Sequence, residues 1–260
     1  MPTAGPLYGS AFRNTAKVLL LGLELGQIVV PLLFFYYNEL VKAAFVSIVG
    51  RPSSGKSTLL NTLCGYKVSI ISPFPQTTRN KIRGIVTREQ GQLVFIDTPG
   101  FHDSDKKFNQ YMKQLVVSSL EEIDIVLYIV DTGRDPGEEE SLIINMLSPI
   151  RDKVVVAMNK IDIPDNKLDS YGALLEENLS PLATVETSAL TGKGLDTLLN
   201  VLFDHAPEGE QLYPEDFYTD QEPSFRISEI IREKALSKVR QELPYAMYVE
   251  IADMEADEEK

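Results

Sequence analysis

Four short stretches carry residue types and spacings that could do chemistry on a nucleotide. "GRPSSGKST" (50–58) fits the pattern G-x-x-x-x-G-K-[ST], after an apolar strand-like run and before a helix-like one. In such a loop Gly50 and Gly55 let the backbone wrap a phosphate. The N–H groups of Arg51, Pro52's neighbours Ser53 and Ser54, and the residues up to Thr58 line its inner side. Lys56 would reach the β- and γ-phosphates, and the Ser57 hydroxyl would bind Mg²⁺. "DTPG" (97–100) ends a second run. Asp97 fits a carboxylate acting on Mg²⁺ through water, Thr98 and Pro99 form the turn, and the Gly100 N–H can bond a γ-phosphate.

"NKID" (159–162) and "SAL" (188–190) would read the base. The Asp162 carboxylate can accept hydrogen bonds from guanine N1–H and N2–H₂, a donor pair adenine lacks on that edge. A buried acceptor left unpaired rejects the wrong base. Asn159 would bond the base and tie loops together, Lys160 would lie over the ring, and the Ala189 N–H, between Ser188 and Leu190, would serve guanine O6. Alone, D-x-x-G is commonplace and N-K-x-D could be a plain strand-end turn. The four in this order specify a guanine nucleotide, GTP or GDP, with Mg²⁺. A fifth stretch, "SPFPQTTRN" (72–80), has no helical or strand periodicity. A threonine there can complete Mg²⁺ coordination only when a γ-phosphate is present, and Thr77 and Thr78 are both candidates.

These residues need a scaffold that brings strand ends together. "AFVSIV" (44–49), "LVFID" (93–97), "IVLYIVD" (125–131) and "VVVAMN" (154–159) are β-branched-rich runs bounded by turn or polar residues. Helical patterns fall near 56–64, 108–120, 138–149, 167–177 and 194–204. The alternation predicts an α/β fold: a mostly parallel six-stranded sheet with helices on both faces. "KIRGIVTRE" (81–89) alternates and pairs with "QLVFID" across "QGQ", which predicts one antiparallel edge strand.

The chain has 260 residues and a formal net charge of −13, which disfavours nucleic acid for the molecule as a whole. Residues 204–260 hold 16 acidic and 6 basic side chains, so the excess is concentrated in the tail. The single cysteine, Cys64, allows no internal disulfide and reads as a small buried hydrophobe. Residues 18–37 form an apolar run long enough for a membrane span. Glu24, Gln27, Pro31 and two glycines bring insertion near break-even. Arg13 and Lys17 before it would also leave the nucleotide loops outside the cell. A peripheral hydrophobic element, or an extension that is no part of the working protein, is the expectation.

"GRPSSGKSTLLN", "PQTTR", "DTPGFH", "NKID" and "SAL" in order resemble the translation-factor-like bacterial GTPases. The flanks "ELVKAAFVSIVGRP", "PEGEQLYPEDFYTDQEPSFRISEIIREKAL" and "ELPYAMYVEI" are similar to the Era family, a GTPase followed by a KH-type RNA-binding domain. The resemblance runs from about Lys42 to Asp253. It implies a GTP-hydrolysing switch in assembly of the small (30S) ribosomal subunit, contact with its ribosomal RNA, and a cytoplasmic monomer. In some members it also implies peripheral contact with the inner membrane. By the family pattern Thr78, just before the arginine, is the Mg²⁺ ligand. Catalysis would rest on Lys56, Thr78 and Gly100. Phe101 stands where other GTPases carry a water-orienting glutamine, which implies slow turnover without a partner; His102 follows it.

The implied organisation is an atypical extension (1–40), a GTPase domain (41–206), a linker (207–223) and an incomplete KH-type domain (224–260). Three departures stand out. Many relatives have asparagine, linked to potassium binding, where this chain has Ser53. Residues 1–40 have no family counterpart, and Leu40 or Val41 could mark an alternative start. No glycine follows Gly209, so no G-x-x-G loop can grip RNA backbone. A helix near 224–241 and one strand near 245–254 are expected there, docked on the GTPase domain or mobile. Two other readings remain: a related GTPase of tRNA modification, and a nucleotide-gated binding module or membrane-associated adaptor with negligible turnover.

Overall fold

Strand ends, rather than any one loop, define where this molecule can bind a ligand. The computed structural model of the chain describes residues 40–71, 82–97, 123–236, 238 and 248–254, and the backbone alone of 17–25 and 28–36. β1 (Lys17–Leu25) and β2 (Ile28–Tyr36) form an antiparallel hairpin. The apolar run is therefore two strands, and among the described residues no helix is long and apolar enough to cross a membrane.

The main sheet contains β3 (Val41–Val49), β4 (Ile82–Arg88), β5 (Gly91–Asp97), β6 (Ile125–Asp131), β7 (Val154–Asn159) and β8 (Ala183–Glu186). Their order is β4-β5-β3-β6-β7-β8. All neighbours are parallel except the β4–β5 hairpin, the edge expected from its alternating pattern. β8 was the strand without a sequence signal of its own: "ATVE" is short and half polar. A two-residue strand, β9 (Glu208–Gly209), pairs with the start of β3.

The continuous apolar runs are explained by a sheet covered on both faces. Along β6, Ile125, Leu127 and Ile129 join one core cluster while Val126, Tyr128 and Val130 join the other. The first cluster is completed by α1 (Lys56–Cys64) and α4 (Leu195–His205), and the second by α2 (Glu138–Leu147) and α3 (Leu168–Asn178). A short 3₁₀ segment, Ser148–Lys153, extends α2 toward β7. Cys64 is partly buried against the first cluster, and burial pushes its thiol up to about 12.

The segment after β9 lies along the β4–β5 hairpin. The buried Gln92 accepts from the Leu212 and Tyr213 N–H groups at 3.0 and 2.7 Å and donates to the Tyr213 carbonyl at 3.0 Å. Ile85 N–H donates to the Tyr218 carbonyl at 2.9 Å, and Arg83 pairs with Asp220 at 2.6 Å. α5 (Pro223–Leu236) follows; residues 239–241, the end of the helix expected near 224–241, lie outside the described residues. It buries Ser228, Arg232 and Leu236, and Glu233 forms an ion pair with Lys67. The strand expected over 245–254 is not formed at 248–254. A lone strand gains its hydrogen bonds only from a sheet edge, and this segment has no pairing partner among the described residues.

Candidate nucleotide site

The strand register assembles the site. In the sheet, Ile48 of β3 stands opposite Asp97 of β5, and Asp131 of β6 stands opposite Asn159 of β7. β3 lies between β5 and β6, so the chain crosses to opposite sides after it. A crevice opens at such a point outside the carboxyl ends of the strands. Residues 50–55 cross that crevice and enter α1.

Within the loop, Lys56 is almost fully buried. Its ammonium donates to the carbonyls of Gly50 (2.9 Å) and Arg51 (2.7 Å). Burial pushes its pKa down to about 8, against the opposing charges of Asp97 and Glu140. A phosphate would supply the counter-charge that burial denies it. Ser53 holds φ 61°, a left-handed conformation that asparagine adopts more readily than serine. Arg134 donates to the Pro52 carbonyl at 3.2 Å.

Asp97 is fully buried, with its pKa raised by burial and held back by Lys56, Ser69 and Ser57. Its Oδ2 accepts from Ser57 Oγ at 3.2 Å and from Ser69 Oγ at 3.1 Å. Its Oδ1 is buried with no hydrogen-bond partner among the described residues. An unpaired carboxylate oxygen in such surroundings is costly. A hydroxyl and a carboxylate, both hard oxygen donors, converge here, so the residues fit Mg²⁺.

Asn159 is the central tie. Its Nδ2 donates to the Ser54 carbonyl at 2.8 Å, and its Oδ1 accepts from the Ala189 N–H at 2.9 Å. Its own carbonyl accepts from both the N–H (3.0 Å) and the hydroxyl (2.7 Å) of Thr132. Thr62 Oγ1 of α1 donates to the Ala189 carbonyl at 2.9 Å. The phosphate loop, α1, β7 and the 188–190 turn are thus one linked body. The Ala189 N–H, expected on guanine O6, is directed at Asn159. Lys160 holds φ 70°, and its ammonium, expected over the ring, donates to Asp131 Oδ2 at 2.7 Å. Asp162 is exposed, with Oδ1 accepting from the Ser188 hydroxyl. Leu190, next in the chain after Ala189, is 78% exposed.

Sequence reasoning missed Asp131, although its place at the end of an apolar run was the signal available. Burial raises its pKa, but Lys160 and Arg134 outweigh that and hold it below the usual carboxylate range. It also missed Ser69 and Glu140, which no motif marks. Thr77, Thr78, Thr98, Pro99, Gly100, Phe101, His102 and the helical pattern at 108–120 lie outside the described residues.

The family described as "50S ribosome-binding GTPase" matches residues 45–160. The GTPase Era of Borrelia garinii subsp. bavariensis is 47% identical over 216 residues, covering 83% of this chain and 74% of the relative. The GTPase Era of Treponema denticola is 48% identical over 221 residues, again covering 83% and 74%. Among solved structures, a variant of Aquifex aeolicus Era bound to GDP·AlF4⁻ has a TM-score of 0.69 at 37% identity, covering 78% of this chain and 70% of that one. Era in complex with MgGDPNP and nucleotides 1506–1542 of 16S ribosomal RNA has a TM-score of 0.70 at 37% identity, covering 79% and 70%.

Proposed function

This chain belongs to the Era family of GTPases, and from that membership we propose that it is a GTP-hydrolysing switch acting in assembly of the small ribosomal subunit. The observation that carries the reading is the meeting of Lys56, Ser57, Asp97, Asn159 and Ser188–Ala189 at one edge of the sheet, within one hydrogen-bonded body. The relative with MgGDPNP and 16S ribosomal RNA supports both the nucleotide and the RNA class.

In this reading water attacks the γ-phosphate in line and GDP leaves. The protein's part is to position the groups and stabilise developing charge. Lys56 already sits in the loop's concavity, so its ammonium can follow charge onto the β–γ bridge and γ oxygens. Loop N–H groups hold the remaining oxygens at the N-terminus of α1. Ser57 and Asp97, with Thr78 by the family pattern, would hold Mg²⁺, which when bound neutralises β- and γ-phosphate charge. Asp162, oriented by Ser188, selects guanine.

Multiple-turnover phosphate release with saturating GTP and Mg²⁺ tests the enzyme. Slow release above the buffer rate is expected, since Phe101 offers water no hydrogen bond. Release no faster than buffer, with GTP still tightly bound, would favour the adaptor reading. The RNA role has its own test. Residues 210–260 contain no glycine. A polypeptide of these 260 residues is therefore expected to bind the 3′ end of 16S ribosomal RNA at least about tenfold more weakly than a relative with a G-x-x-G loop. Equal affinity in filter binding would refute this. The cytoplasm is the setting this function requires, because GTP and ribosomal RNA are both there; a monomer with peripheral contact to the inner membrane is part of the same proposal.

A further inference from the structure

Glu140 is the one fully buried carboxylate, among the described residues, that the nucleotide chemistry above does not use. It lies in the first turn of α2 with no exposed surface. Tyr128 of β6 and Tyr171 of α3 both donate their hydroxyls into it, Tyr171 at 3.2 Å. Its third partner is Arg51, whose Nη1 donates to Glu140 Oε1 at 3.3 Å. Arg51 is the second residue of the phosphate loop, and its carbonyl accepts the Lys56 ammonium at 2.7 Å. One arginine therefore joins a buried acid on one side to the phosphate-binding lysine on the other.

We propose that Glu140 is a positioning residue for the nucleotide site: through Arg51 it fixes the carbonyl cradle that aims Lys56 at the phosphates. The arrangement is stiff where it needs to be. Both tyrosines belong to the core cluster on that face of the sheet and are themselves fully buried, so the carboxylate cannot drift. Arg51 also pairs with Glu139 at 2.7 Å, but that carboxylate is 55% exposed and screened by solvent. Glu139 makes the shorter contact, so both carboxylates hold Arg51, but only Glu140 is locked in the core and fixes where the guanidinium sits. Glu140 additionally offsets part of the burial that disfavours charge on Lys56. A buried acid is normally expensive, and breaking one side of such a pair leaves an uncompensated charge. Its retention under the loop is accounted for by what it does to Arg51.

The inference rests on the nucleotide-binding reading, and the experiment separates the two. Fluorescent GDP is titrated into the full chain, into Glu140→Gln, Arg51→Met and the double variant, with thermal melts recorded with and without GDP. If the unaltered chain fails to bind GDP, the nucleotide reading itself fails. Otherwise each single variant should weaken GDP by about tenfold, the size of one lost charge-assisted contact. The double variant should be no weaker than the worse single one, because the two residues act through one linkage. The GDP-induced rise in melting temperature should shrink accordingly. Unchanged GDP affinity in Glu140→Gln, even with a lower melting temperature, would reduce Glu140 to a fold element and overturn the proposal. So would effects that multiply in the double variant. Should Glu140→Gln fail to fold, Tyr171→Phe removes one hydroxyl from the acid and keeps the ring. A severalfold loss of GDP affinity supports the linkage, and no change overturns it.

Discussion

Gly55→Ala should weaken GDP and GTP binding by about a hundredfold or more, while the sheet stays folded. Gly55 holds φ 101°, a conformation a side chain resists, at a cost of about 1–2 kcal/mol. The larger effect is steric. A Cβ there would lie 2.3 Å from Asn159 Nδ2. That amide donates to the Ser54 carbonyl, and the other end of the same side chain holds the Ala189 N–H. Moving it leaves buried groups in two loops unpaired, at about 1–3 kcal/mol each. Together these exceed the roughly 2.7 kcal/mol that a hundredfold loss requires. Fluorescent GDP titration, with circular dichroism as the folding control, provides the check. An affinity within tenfold of the unaltered chain would show that the loop tolerates the contact.

Asp162→Asn should lower guanine selectivity by about 10²–10³-fold, because a carboxylate accepting two donors becomes an amide with one acceptor and one donor group. The Ser188 hydroxyl, which donates to Asp162, can also pair with an amide, so the side chain should keep its place. The amide would then face guanine N2–H₂ with a donor of its own and repel it. Xanthine carries a carbonyl at that carbon, so xanthosine nucleotides should gain affinity as guanosine nucleotides lose it. Competition binding with GDP, XDP and ADP measures all three. An unchanged GDP preference would refute the assignment of Asp162 to the base edge.

Much of this site was legible before any coordinates. The Gly50–Thr58 loop needs only a strand, a glycine-rich turn and a helix start in sequence. The chain delivers all three within 41–64, and α1 begins at Lys56 as read. β6 and β7 were legible because unbroken apolar runs of six and five residues fit a sheet covered on both faces. β8 was not, since a short half-exposed edge strand takes its structure from β7 rather than from its own residues. The segment 207–223 was read as a linker from the family resemblance. Part of it is held on the β4–β5 hairpin through Gln92, a glutamine that nothing local distinguishes.

By itself the sequence determined the family and the order of its motifs: the phosphate loop, the candidate Mg²⁺ ligands and the candidate guanine reader. Those functions depend on backbone N–H groups and residue types within a few positions of each other, so local order preserves them. Only the tertiary structure decided which groups meet across the chain. It set Asp131 against Lys160, turned Asn159 toward both Ser54 and Ala189, and placed Glu140 beneath Arg51. These partners lie up to 105 residues apart in sequence. Their meeting follows from the strand order β5-β3-β6-β7 and its register, which are fixed by how two apolar faces are buried together. No window of residues short enough to carry a motif contains that information.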